Sequence, residues 1–118
     1  MRKIEAIIRK SRFEDVKAAL LDADTEWLSY YDVRGIGKSR QGRIYRGVVY
    51  DTSSIERTMI SLVVRDKNVD KTVKAILSAA RTGEIGDGRI FVYPVEDAIR
   101  IRTGEHGDVA LYNAEQES

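Results

Sequence analysis

The densest set of residues that could do chemistry is 82–89, which reads Thr-Gly-Glu-Ile-Gly-Asp-Gly-Arg. Gly83, Gly86 and Gly88 permit positive φ angles and leave neighbouring backbone amides uncovered by Cβ atoms. Successive amides in such a turn can form a concave nest that binds an anion. The alternative is that the glycines only end a helix and turn the chain, and periodicity alone favours that alternative.

Three arginines could neutralise an anion held by this loop. Arg89 follows the last glycine directly, and Arg100 and Arg102 come shortly after it in an Ile-Arg-Ile-Arg run. Alternation predicts a short edge strand at 99–102 with both arginines on one face, where two forked guanidiniums can bind one polyphosphate. The alternative is a solvated, charged edge that discourages aggregation.

Composition narrows the class of protein. The 118 residues predict a single domain, 1–118, with a small core that oligomerisation would enlarge. Lysine plus arginine number 20 and aspartate plus glutamate 19, and this balance argues against general nucleic-acid binding. The absence of cysteine excludes disulfides, thiolate catalysis and zinc–sulfur sites. No apolar run approaches about 20 residues and no signal-peptide pattern follows Met1, so we expect a cytoplasmic protein without membrane insertion.

Hydrophobic periodicity predicts the elements that must position these residues. Strands are predicted at 4–8, 27–33, 58–64 and 89–93, with helices after a Ser11–Glu14 capping box and after an Asn68 cap. Residues 43–50 favour a further strand, although Gly47 weakens it. The order predicts an α+β ferredoxin-like (βαβ-βαβ) sandwich with both helices on one face of the sheet. Apolar side chains on the other face, such as Tyr31 and Met59, would need self-association to cover them.

The segment 36–56, between the second and third strands of the predicted sandwich, is unusually long for a small domain. Connections of that length are usually functional or disordered.

Several of these segments together resemble one family. Residues 82–92, Pro94-Val95-Glu96 and 99–105 closely resemble the C-terminal signature of the PII nitrogen regulatory family. Residues 1–8 resemble its first strand, and 33–37 with 45–47 and Tyr50 resemble its long T-loop. The resemblance covers nearly the whole chain. It implies a homotrimer that binds ATP or ADP in clefts between subunits, with a T-loop at 36–56, a B-loop at 82–89 and a C-terminal loop at 100–118.

The resemblance also implies which residues bind nucleotide. They come from the B-loop, the C-terminal loop, the T-loop base and the sheet: Gly86, Asp87, Gly88, Arg89, Arg100, Arg102, Gly35, Gly37, Lys38, Ile7, Ser29 and Val63. Arg89 stands where many members have lysine, which keeps the charge but changes the donor geometry. Ile7, Ser29 and Val63 would flank adenine and its ribose, although core packing explains Ile7 and Val63 equally well.

The T-loop tip is where members of the family contact partners, here Tyr45, Arg46 and Gly47. Arg46 matches an arginine that some members insert into the pore of a trimeric ammonium transporter, and a nitrogen-assimilation enzyme is the other class of target. Tyr50 matches a tyrosine that some members uridylylate, but a plain strand residue is the interpretation that we favour.

The chain departs from the family after Gly37. Many members read Gly-X-Gly-Arg-Gln-Lys-Gly, whereas here Gln41 is displaced by two positions and the stretch from Gly42 to Tyr45 is shorter. Binding of Mg²⁺ and 2-oxoglutarate in the usual geometry is therefore not expected. Arg57 stands near the position of a family lysine that approaches the ligand carboxylate. This arginine can therefore still bind an oxyanion.

The sequence favours a regulatory binding protein over an enzyme, with no catalytic residue and no metal site. The one histidine, His106, lies in a polar segment, and no Walker, nucleophile-elbow or His-Glu-x-x-His motif is present. Slow ATP hydrolysis at the subunit cleft, with Arg100 or Arg102 stabilising charge, is the alternative. RNA binding by the sheet is not favoured, because 60–64 lack the required glycine and aromatic pattern.

Overall fold

The computed structural model describes residues 1–35 and 56–112, and the backbone of two short strands between them. The elements in chain order are β1 (Arg2–Arg9), α1 (Phe13–Asp22), β2 (Ser29–Arg34), β3 (Arg43–Tyr45), β4 (Val48–Tyr50), β5 (Glu56–Val64), α2 (Val69–Ala80) and β6 (Gly88–Pro94). Short 3-10 helices at Lys10–Arg12 and Asp66–Asn68 lead into the α-helices, and a third spans Gly107–Leu111. Neither described α-helix is long and apolar enough to cross a membrane.

Four of the strands form one antiparallel sheet in the order β2-β5-β1-β6. Strands β3 and β4 pair separately as a hairpin within 36–56. The two helices pack on each other and cover one face of the sheet. This arrangement confirms the predicted α+β ferredoxin-like fold.

The core lies between the helices and that face. Period-two alternation in β1 and β5 buries Ile4 opposite Leu62 and Ala6 opposite Ile60. The helices contribute side chains at helical spacing, which are Val16, Leu20, Ile76 and Ala80.

The opposite face of the sheet is not covered by either helix. Ile7 lies opposite Met59 on β5 and opposite Arg89 on β6, and both apolar side chains are only half-buried. Tyr31 and Phe91 are 50% and 42% exposed. An apolar surface of this kind is a candidate interface with another protein chain.

Three local predictions were wrong or incomplete. Helix α1 begins at Phe13, and no side chain caps its first turn, so the Ser11–Glu14 capping box does not form. Asn68 is the N-cap of α2, but its side chain makes no capping hydrogen bond. The single strand considered at 43–50 is two strands, β3 and β4.

The predicted edge strand at 99–102 is also wrong. Ile99 makes one isolated bridge with His106, and the chain turns immediately after Arg100. Gly104 has a φ of +74°, and its amide donates to the carbonyl of Arg100 at 2.7 Å. This tight turn replaces the extended backbone, so alternation no longer fixes the directions of the two arginines.

Candidate nucleotide-binding site

The glycine-rich loop is organised around the carboxylate of Asp87. That carboxylate accepts hydrogen bonds from the amides of Thr82 and Gly83, each at 2.9 Å, and from the Thr82 hydroxyl. The Thr82 oxygen in turn accepts the amide of Glu84 at 3.2 Å. Asp87 therefore uses its oxygens within the loop itself.

Arg9 ties this loop to the end of β1. Its Nε donates to Asp87 Oδ1 at 3.1 Å, and a terminal nitrogen donates to the carbonyl of Ile85 at 2.8 Å. Donors from Thr82, then Arg9 and Gly83, hold the pKa of the Asp87 carboxyl well below its usual range. Sequence reasoning missed Arg9, because no local motif marks a partner 78 positions away.

Two glycines in the loop have a structural reason to be glycine. Gly88 has a φ of +102°, and a Cβ there would overlap the carbonyl oxygen of Ile7 on the adjacent strand. A Cβ on Gly86, where φ is +99°, would lie 3.1 Å from an Arg57 guanidinium nitrogen and 3.3 Å from one of Arg9. Two guanidiniums therefore converge on the backbone of Gly86. The glycines thus do more than end α2 and turn the chain.

A cleft of about 410 Å³ lies beside this loop, between β6 and α2. Four of the predicted nucleotide-binding residues line it: Ile7, Asp87, Gly88 and Arg89. The structure thus brings together three of the residues expected near phosphate and one expected near adenine.

A second cleft, of about 340 Å³, lies at the opposite edge of the sheet, beside β2 and β5. It is lined by Ser29 and Val63, both expected near adenine or ribose, and by Trp27 and Tyr112. Ser29 belongs to β2 and Gly88 to β6, which are the two edge strands of the sheet. Within one chain, Ser29 and Val63 therefore lie apart from the residues that line the cleft beside the glycine-rich loop.

Arg100 and Arg102 have different environments. Arg100 donates to the carbonyls of Val109, at 2.9 Å, and Tyr112, and pairs with Glu105 at 3.2 Å, so it anchors the last 3-10 helix. Arg102 is exposed and has no ion pair with a described residue. The expectation that both guanidiniums share one strand face is wrong.

The remaining predicted residues lie near or within 36–56. Gly35 follows β2 directly and has open space around it. Tyr45 and Tyr50 end β3 and β4. Gly37, Lys38, Arg46 and Gly47 lie outside the described residues, so their roles stay predictions.

The fold and the loop together define a ferredoxin-like domain with a candidate anion-binding segment at one end of its sheet. A family model described as "Nitrogen regulatory protein P-II" matches residues 1–105, and the chain belongs to that family. This confirms the resemblance found in the sequence.

Curated relatives agree with the family assignment. Proteins named "Nitrogen regulatory protein P-II" from Microchaete diplosiphon and Nostoc punctiforme are 45% and 46% identical to this chain over 112 residues. One of the same name from Cereibacter sphaeroides is 46% identical. Each match covers 94% of this chain and 100% of the relative. These relatives are named as regulatory proteins, which fits the prediction of a non-enzymatic role.

Proposed function

We propose that the protein is a homotrimeric transducer of nitrogen status that binds ATP or ADP in clefts between its subunits. Its family supports the regulatory role. The observation that carries the nucleotide site is the division of the predicted residues between two clefts at opposite edges of one sheet.

The division supports a shared site for a geometric reason. Strands β2 and β6 are separated by three interstrand spacings, or about 14 Å. A neighbouring subunit that sets its β2 edge against the β6 edge would join Ser29 and Val63 of one chain to Gly88 and Arg89 of the other. Adenine and ribose would then lie in the cleft lined by Ser29 and Val63, and the phosphates would lie against the glycine-rich loop.

The uncovered sheet face supports self-association. Ile7 and Met59 lie opposite each other near its centre, with Phe91 and Tyr31 further out on the same face. Burial of this face between copies would add to the modest core of a 118-residue chain.

Signalling would follow from a shift in T-loop populations. ATP and ADP differ at the terminal phosphate, next to the T-loop base, so each would favour a different arrangement of 36–56. A partner that binds one arrangement must then tighten the nucleotide that favours it. The proposed targets are an ammonium transporter, with the Arg46 guanidinium plugging a cation path, or a nitrogen-assimilation enzyme.

The nucleotide proposal is tested by calorimetric titration with ATP and ADP, with light scattering to count the subunits. Mg²⁺ with 2-oxoglutarate forms a further arm, because the Arg57 and Arg9 guanidiniums converge on Gly86 and could receive a carboxylate. We expect a trimer and saturable binding of both nucleotides. A monomer, or no binding at millimolar nucleotide, would refute the proposal.

Target recognition needs its own experiment. Membranes and cytosol are passed over immobilised wild type and Arg46→Glu, each loaded with ATP or with ADP. Capture of a transporter by the wild type alone, under one nucleotide, supports the pore-plug role. Equal capture by both proteins removes Arg46 from that role.

A further inference from the structure

The only tryptophan of the chain is exposed in a cleft. Trp27 lies just before β2, lines the same cleft as Ser29 and Val63, and is 78% exposed. A tryptophan side chain commonly buries 150–250 Å² when it is covered, so an indole left open on a concave surface is a candidate binding group. Nothing in the core of this subunit requires an aromatic residue at this position.

We propose that Trp27 stacks on the adenine base of the bound nucleotide and so contributes base affinity to the site. This inference rests on the proposed nucleotide function and deepens it, because it divides recognition between the two clefts. An indole stacks on a purine through the π-faces of both rings, and every base offers such a face. The phosphates would be held separately, by the glycine-rich loop of the neighbouring subunit.

The other walls of the cleft suit a base and its ribose. Ser29 and Ser61 lie opposite each other on β2 and β5 and both line the cleft, so their hydroxyls can pair with ring nitrogens or ribose oxygens. The volume of about 340 Å³ is at the lower end of the range for small-molecule pockets, roughly 300–1,000 Å³. This volume suits a nucleoside better than a whole nucleotide.

The cleft is also closed on one side by structure within the subunit. Tyr112 lines it, and the Arg65 guanidinium lies 4.2 Å from the centre of the Tyr112 ring. Arg100 donates hydrogen bonds to the carbonyls of Val109 and Tyr112, and these bonds fix the end of the last 3-10 helix beside the cleft. A preformed wall reduces the ordering that a ligand would otherwise impose.

A second copy of the chain is the competing occupant, because subunit contacts could cover Trp27 instead. Fluorescence separates the two cases, since all tryptophan emission comes from this one residue. The assembled wild-type protein is excited at the red edge of tryptophan absorption, where adenine does not absorb. We expect water-exposed emission without ligand and strong quenching by ATP, but little change with inorganic tripolyphosphate. Buried-type emission that ATP leaves unchanged would overturn the proposal.

Variants test the energetic contribution. Trp27→Ala should bind ATP about tenfold more weakly than wild type, because stacking of one base contributes roughly that factor. Its affinity for tripolyphosphate should be unchanged, and Trp27→Phe should recover most of the affinity for ATP. Leu21→Ala is the matched control, since Leu21 is an exposed apolar residue on α1 outside the cleft.

The calorimetric outcomes distinguish this inference from the function on which it rests. If the wild type binds ATP and Trp27→Ala binds it equally well, stacking is refuted and the nucleotide function stands. If the wild type binds neither ATP nor tripolyphosphate, the nucleotide function fails and stacking fails with it.

Discussion

Arg9 Nε lies 3.1 Å from Asp87 Oδ1 and thereby joins the end of β1 to the glycine-rich loop. Both side chains are about one quarter exposed. In the proposed site, a carboxylate without such partners would repel the phosphates of the ligand. With the guanidinium and three loop donors around it, Asp87 instead orders the loop that precedes Gly88 and Arg89, which line the cleft. Asp87 is then a positioning residue in the proposed site, and Arg9 is its partner.

Removal of the Arg9 side chain should weaken phosphate binding more than it weakens the fold. In Arg9→Ala the loop loses its bonds to both Asp87 and the Ile85 carbonyl, so we expect tripolyphosphate affinity to fall on the order of tenfold. Calorimetry measures the affinity. Arg12→Ala, which removes only a surface pair with Asp15, is the control and should bind normally. Equal affinities in all three proteins would contradict the positioning role.

The Asp87 carboxyl should make the stability of the protein depend on pH in the acid range. Its pKa is depressed in the folded state, so its contribution is present above the unfolded pKa of about 3.9 and is lost as pH falls toward the folded value. Urea unfolding between about pH 6 and pH 3 should show a steeper loss in wild type than in Asp87→Asn. The depressed carboxyls of Glu56, Asp66 and Asp97 act in both proteins and cancel in the difference. Parallel profiles would refute the prediction.

The sheet and both helices could be predicted from the sequence because their signals are local. Alternation in 4–8 and 58–64 and the helical stripe after Asn68 each report a buried face within a few residues. The Ile-Arg-Ile-Arg run led to a wrong prediction because its signal is also local. Four alternating residues fit an edge strand as well as a turn. The turn is stabilised by the bond from the Gly104 amide to the Arg100 carbonyl and by the bonds between Arg100 and the last 3-10 helix.

The candidate site could be predicted only in part. The glycines were visible because positive φ and close approach restrict the residue type at a single position, as at Gly88. The contact of Arg9 with Asp87 depends on the β1–β6 pairing, and the exposure of Trp27 depends on where β2 begins. Neither relationship has a signature in the residues next to it, so only the folded chain reveals them.

Gly88 and Gly83 should differ sharply in their tolerance of alanine. Gly88→Ala combines a φ of +102° with an overlap on the Ile7 carbonyl, and should cost more than about 3 kcal/mol of unfolding free energy as β6 moves away from β1. Gly83→Ala has open space and only the φ of +86°, so about 1 kcal/mol is expected. Urea midpoints of the two variants provide the comparison. Similar midpoints would show that the close approach at Gly88 relaxes.

Arg100 and Arg102 should separate into an anchor and a ligand contact. Arg100→Ala should free the last 3-10 helix, seen as faster protease cleavage within 107–112. Arg102→Ala should leave stability within about 0.5 kcal/mol of wild type, because its side chain is exposed. Its affinity for ATP should fall on the order of tenfold if it contacts phosphate across the subunit boundary. Unchanged ATP affinity in Arg102→Ala would remove that residue from the site.

The uncovered sheet face should be the interface of the proposed trimer. Met59 lies opposite Ile7 near the centre of that face and is half-buried even in a single subunit. Met59→Glu would place a charge in an apolar contact without a partner, so we expect light scattering to report monomers. Leu21→Glu introduces the same charge on the outer surface of α1 and should leave the assembly intact. Since the proposed nucleotide site needs two subunits, the Met59 variant should also lose ATP binding while its circular dichroism stays that of a folded chain. A Met59→Glu protein that stays trimeric would show that the copies meet through a different surface.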